Sequence, residues 1–139
     1  MLGGPQVLAH RVDNALDWHE LLKEGLPAQA LHHLVENVAL LGNRENFTVA
    51  LGMSPRTHQR KKTGEASRLS PEQSGRAWKF ADVLAKATDV FGSQERAELW
   101  LTQPAMALDR HTPLELLNTA AGQEMVEDLL TRLDYGVYT

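Results

Sequence analysis

Apolar residues along this chain recur at three- and four-residue intervals and stop at glycines and prolines. That period belongs to helices burying one face, and no alternating β-branched run is long enough to make a sheet. The spacing predicts a helix over Leu16–Lys23 that stops at Gly25. A second is predicted from Pro27, with Leu31, Leu34, Val35, Val38 and Leu41 on one face as far as Gly42. Arg44–Leu51 predicts a third, with Phe47 and Leu51 inward and Met53 beneath the turn that follows. Ser70, Pro71 and Gln73 supply a cap, a first-turn proline and a capping-box partner for a long helix to Phe91. Its stripe is Ala77, Phe80, Ala81, Leu84, Ala87 and Phe91. Gly92 closes it, Ser93 opens another through Ala97, Trp100 and Leu101 to Pro104, and Thr112, Pro113 and Glu115 repeat the start signal. The last helix is expected after Gly122, burying Met125, Val126, Leu129, Leu130 and Leu133 and ending near Gly136. The expected fold class is all-α.

Between the third helix and the long one lies the segment richest in chemistry. Gly52 can take the positive φ of a tight inter-helix turn, Ser54 can cap the next helix and Pro55 suits its first position. Arg56, Thr57, Gln59, Arg60, Lys61 and Lys62 follow with no acid among them. This is the order of a helix-turn-helix and its recognition helix. Arginine can read guanine bidentately, glutamine can read adenine, and lysines neutralise phosphates. The competing reading is a solvated basic helix end, since cations also suit helix C-termini.

Charge divides the chain in the same sense. Eight Lys/Arg stand against seven Asp/Glu before Ser70, and six against eleven from Ser70 on, within a net charge of −4. A locally basic reader is thus joined to an acidic half suited to a basic partner rather than to DNA. The organisation expected is a flexible arm over 1–15, a helix-turn-helix region over 16–69 and a helical domain over 70–139, with Thr63–Leu69 as the boundary. At 139 residues the chain has room for two small helical cores and no large enzyme domain.

Several chemistries are disfavoured by what the chain lacks. It has no cysteine, so disulfides and thiolate metal sites are excluded, and its six histidines include no pair at i, i+4 spacing. No phosphate loop or nucleophile elbow occurs, so no catalytic residue, metal or cofactor is expected, and the chain reads as a binding protein rather than an enzyme. With no apolar span or leader-like start, the expected setting is cytoplasmic, without membrane. Trp78 and Trp100 belong by position to the acidic half, as core or partner anchors. Past Gly136, Val137, Tyr138 and Thr139 carry no charged side chain; this tail either folds back on its helix or docks into another protein.

Ala97, Trp100-Leu101, Pro104, Ala107-Leu108, Thr112 to Leu117, Thr119, Gly122, Val126, Leu129-Leu130, Arg132 and Tyr135-Gly136 form an ordered set. It resembles the C-terminal toxin-binding domain of Xre/MbcA/ParS-type antitoxins. Leu51 to Thr57 and Leu69 to Ser74 are similar to that family's Xre-type region, so the resemblance covers about Gly25 to the end. This chain departs from the pattern at Ala105-Met106 and Asp109-Arg110, where the family often has an asparagine and a glycine. It departs again at His58, where an apolar residue is usual.

The resemblance implies an antitoxin that neutralises a cognate toxin, most often a RES-type enzyme consuming NAD, and represses its own operon by binding operator DNA. Toxin contact would fall to Trp100, Arg132, Tyr135, Gly136, Val137, Tyr138 and Thr139, with the tail inserted toward the toxin's active site. A homodimer, seamed along the Ser70–Phe91 helix, and a higher hetero-oligomer with toxin are expected, because one helix-turn-helix buries little surface on DNA. The alternative is a stand-alone helix-turn-helix transcriptional regulator with a C-terminal dimerisation domain.

Overall fold

A computed structural model describes residues 15–63 and 68–136, giving the backbone alone for residues 60–63. The arm expected over residues 1–14, the middle of the expected boundary at 64–67 and the tail residues Val137, Tyr138 and Thr139 lie outside the described residues. The described residues are helical, with two isolated bridges and no strand. Among the described residues eight α-helices follow one another: α1 Ala15–Glu24, α2 Ala28–Asn37, α3 Arg44–Leu51, α4 Pro55–Thr63, α5 Pro71–Phe91, α6 Gln94–Leu101, α7 Pro113–Leu116 and α8 Ala120–Asp134. Short 3-10 turns occupy Ala39–Gly42 and Met106–Leu108.

Two compact units divide at Ala81 and Asp82, a point inside α5. In the first, α2 packs on α4, and the Ala39–Gly42 turn packs on α2 and α3. Leu26, Leu31, Leu34, Val38, Phe47 and Leu51 form its core. Each such side chain contributes about 1.5–3 kcal/mol by leaving water. The helix expected to run unbroken to Gly42 instead breaks at Val38, which is extended at φ −126°. Val38 still reaches the core, and the turn after it buries Leu40 and Leu41, so the apolar period survives a break in the hydrogen-bond ladder.

The first unit also claims residues that the expected boundary at Thr63–Leu69 sets at its edge or beyond. The Leu69 N–H donates to the Leu26 carbonyl at 2.8 Å, and the Leu26 N–H donates to Ser74 Oγ at 2.7 Å. Both Leu69 and Ser74 are buried. Trp78, assigned by position to the acidic half, stacks at a tilt on Trp18 with centroids 6.0 Å apart, and Lys79 Nζ lies 5.1 Å from the Trp78 ring.

In the second unit α6 packs on α7, and α8 packs on α7 and on the Met106–Leu108 turn. Thr112 and Glu115 form a reciprocal capping box at α7, as Ser70 and Gln73 do at α5. The last helix begins at Ala120, capped by Thr119, so Gly122 sits inside its first turn rather than before it. A Cβ on Gly122 would lie 1.9 Å from the Leu116 carbonyl oxygen, so only glycine lets α8 approach the end of α7. Val126, Leu129 and Leu130 are buried as the period predicts, whereas Met125, on the edge of the stripe, is 47% exposed.

Candidate functional site

Two surfaces carry the chemistry, one in each unit. In the first, α3 ends at Gly52, whose φ of 64° and ψ of 20° place it in the left-handed region. Its N–H donates to the Thr48 carbonyl, which closes the helix. Ser54 then opens α4: its Oγ accepts the Thr57 N–H at 3.2 Å and lies 3.0 Å from Thr57 Oγ1. Arg56 and Gln59 are exposed on α4, and Thr57 is half-buried. The backbone of Arg60, Lys61 and Lys62 continues the same helix, while their side chains lie outside the described residues.

The inward face of α4 is held by an unexpected group. His58, at the position where an apolar residue is usual, is buried at 6% exposure. Its ring lies 6.1 Å from that of His32 on α2, stacked at 22°, and 5.7 Å from that of Phe47 on α3. The imidazole therefore packs as a flat ring among the three helices of the motif. His32 is in turn 2.9 Å from Glu36.

Arg76, on the first half of α5, is absent from the expected site residues. Its Nε donates to the Ala50 carbonyl at 3.0 Å and its Nη2 donates to the Val49 carbonyl, so the guanidinium covers the C-terminal end of α3. Burial lowers its pKa from the ordinary value. No local signal identifies it: an arginine on a capped helix reads as a solvated cation, and its partners lie 26 and 27 residues away.

In the second unit, Trp100 stacks at a tilt on Phe91 with centroids 5.3 Å apart. The two rings line an apolar groove of about 310 Å³ with Pro104, Met106, Leu129 and Leu133. Met106 is 75% exposed beside it. A second groove of about 390 Å³ is acidic, lined by Lys86, Asp89, Glu127, Asp128, Asp134 and Tyr135. Burial alone would lower the Lys86 pKa, but hydrogen bonds and charge from Asp82 at 3.0 Å and Glu127 at 3.8 Å raise it.

The expected partner-binding residues that the structure describes all lie in the second unit. Trp100 is half-buried in the apolar groove, Arg132 is exposed, Tyr135 is 77% exposed on the acidic groove, and Gly136 ends the helix at φ 67°. On α5, the helix expected to seam a dimer, the apolar stripe is used within the chain, since Ala77, Phe80, Ala81, Leu84 and Ala87 are all buried. Among the described residues no group of three metal-ligating side chains lies together, and no helix is long and apolar enough to cross a membrane.

Comparison with known proteins divides the chain in the same way. Residues 17–82 match the family model of the antitoxin Xre-like helix-turn-helix domain. Residues 86–136 match that of the antitoxin Xre/MbcA/ParS C-terminal toxin-binding domain. The protein named antitoxin Xre of Yersinia enterocolitica is 35% identical over 91 residues, 65% of this chain and 61% of its own length. The chain therefore spans less than two thirds of that relative. Antitoxin Xre of Photorhabdus laumondii is 28% identical over 118 residues, covering 84% of this chain and 78% of its own. A protein of a Sphingobium species named Prs ADP-ribosylating antitoxin is 28% identical over 127 residues, 85% of this chain and 78% of that protein.

Proposed function

The chain belongs to the Xre/MbcA/ParS antitoxin family, and on that premise we propose that it neutralises a cognate toxin with its second unit and represses its own operon with its first. The observation behind this reading is the order of parts. A helix-turn-helix match over 17–82 precedes a toxin-binding match over 86–136, and a stand-alone regulator has no use for the second.

On DNA, α4 enters the major groove, where Arg56, Gln59 and Arg60 read base edges and Lys61 and Lys62 neutralise phosphates. Ser54 and Thr57 face the DNA backbone at the helix start, where their paired hydroxyls can meet a phosphate. Two copies bind as a dimer. With the α5 stripe occupied, their contact uses the exposed side of that helix, around Ala85.

The toxin is a RES-type enzyme that consumes NAD. The name of the Sphingobium relative refers to ADP-ribosylation, a transfer for which NAD is the donor, and this fits that class. Trp100 and Arg132 contact the toxin's surface, and the end of α8 carries Tyr135, Gly136 and the segment Val137–Thr139 into its active site. Inhibition is thus by occupation, and the antitoxin itself catalyses nothing.

The test is NAD consumption by the product of the neighbouring reading frame, saturated with antitoxin. Intact antitoxin is expected to abolish turnover, and antitoxin lacking Val137, Tyr138 and Thr139 to bind yet leave turnover running. The deletion removes an aromatic anchor worth roughly 2 kcal/mol. Full inhibition by the truncated chain would rule out the plug, and failure of the two proteins to co-purify would favour the stand-alone regulator.

A further inference from the structure

The carbonyls in the last turn of an α-helix have no partner within it, and what satisfies them sets the direction in which the chain leaves. At the end of α3 the Thr48 carbonyl accepts from the Gly52 N–H, and the Val49 and Ala50 carbonyls accept from Arg76. Three successive carbonyls are thereby satisfied, two of them by one planar group. A Cβ placed on Gly52 would lie 3.7 Å from Cγ, Cζ and Nη1 of Arg76, so the side chain also lies flat against the turn. Arg76 stands on a helix whose start is fixed by its own capping box and by the buried bond from Leu26 to Ser74. The fork is thus anchored to a rigid element outside the α3–α4 pair.

We infer that Arg76 is a positioning residue for DNA recognition: by clamping the end of α3 it sets the angle at which α4 presents Arg56 and Gln59, without touching DNA itself. The inference rests on the operator reading proposed above. Only a guanidinium serves, because its donors lie in one plane at fixed separation and bridge two carbonyls, whereas an ammonium is a point charge on a flexible stem. A misdirected helix keeps its cations. It therefore loses base readout while retaining phosphate attraction.

The experiment compares the full-length wild-type chain with Arg76→Lys and Arg76→Met on two duplexes. One is the region immediately upstream of its own gene, and the other is a scrambled duplex of equal length. Titrations run over a range of salt, at a temperature where circular dichroism shows each variant fully folded. Both variants are expected to lose tenfold or more on the upstream duplex, to keep their affinity for the scrambled one, and to keep the slope of log K against log salt.

If the salt slope falls by about one, Arg76 is a phosphate contact, and the inference is overturned. Should Arg76→Lys bind the upstream duplex as tightly as wild type, charge alone suffices and the clamp is overturned. The Lys variant carries the test if the Met variant does not fold. If neither folds, Arg76 is a requirement of the fold and the positioning role fails. A wild-type chain that does not prefer the upstream duplex sinks the operator reading and this inference with it. Loss of preference in the variants alone is what supports Arg76.

Discussion

The turn at Gly52 and the turn at Asp109–Arg110 both pass through left-handed backbone, and they reach it by opposite means. Gly52 adopts φ 64° with no side chain to penalise it, and the turn is held from outside by Arg76. Asp109 and Arg110 adopt φ 53° and 67° as consecutive non-glycine residues. That turn is closed from within: the Ala105 N–H donates to the His111 carbonyl at 3.0 Å, and the Arg110 N–H donates to the Ala105 carbonyl at 2.9 Å. The first turn is relaxed and depends on a distant clamp; the second is strained and self-contained. Strain of this kind persists only where the surrounding contacts over-determine the backbone.

A glycine constrained in another way bounds the comparison from above. At Gly122 the limit is backbone approach rather than φ, so Gly122→Ala has nowhere to place its Cβ without moving α7 from α8. The expected loss is on the order of 3 kcal/mol, read from urea unfolding followed by far-ultraviolet dichroism. A wild-type midpoint would mean that the two helices are free to separate.

Gly52→Ala isolates the conformational part of the first turn, because the space beside it is open to 3.7 Å. A loss of about 1–2 kcal/mol is expected from the left-handed φ alone. A larger loss would show that the methyl disturbs the Arg76 clamp as well.

In the second turn the sign reverses. Arg110→Gly relieves strain and is expected to raise stability by about 0.5 kcal/mol, the gain being limited by glycine's freedom in the unfolded chain. Asp109→Gly should gain less, since aspartate tolerates left-handed backbone better than arginine. A destabilised Arg110→Gly would mean that the arginine side chain makes a contact worth more than the strain.

The smallest effect concerns pH, just beyond that turn. A hydrogen bond from His111, then one from the Thr112 N–H, holds the Glu115 carboxyl below its ordinary value of 4.5. Its contribution is therefore present above that value and lost as pH falls through the lower folded-state value. Glu115→Gln should lower the melting temperature slightly at neutral pH and match the wild type in acid, so that the acid side of the profile flattens. An unaltered acid slope would show that this exposed cap is solvent-screened.

Much of the helical plan was legible because its signals are local. Ser70 and Gln73, or Thr112 and Glu115, meet within three residues, so the sequence alone states where those helices begin. Gly52 and Ser54 likewise mark the turn and cap before the basic helix, and both stand where they were expected. The candidate site was legible only in part. The exposed Arg56 and Gln59 are read directly from the cationic run, whereas Arg76 and His58 act through partners that no local pattern names.

What the sequence by itself determined is the period and punctuation of the chain: all-α, a basic helix after a glycine turn, and an acidic half with two capped starts. Tertiary structure alone decided that α2 breaks at Val38, that Leu69 and Ser74 belong with the first unit, and that Met125 stays exposed. It also decided that a histidine fills the space beneath α4 and that an arginine 26 residues away closes α3. The physical reason is range. Caps and turns are settled by atoms a few bonds apart, while burial and clamping depend on which face arrives opposite which, and a 3.6-residue period marks a face without naming what will cover it.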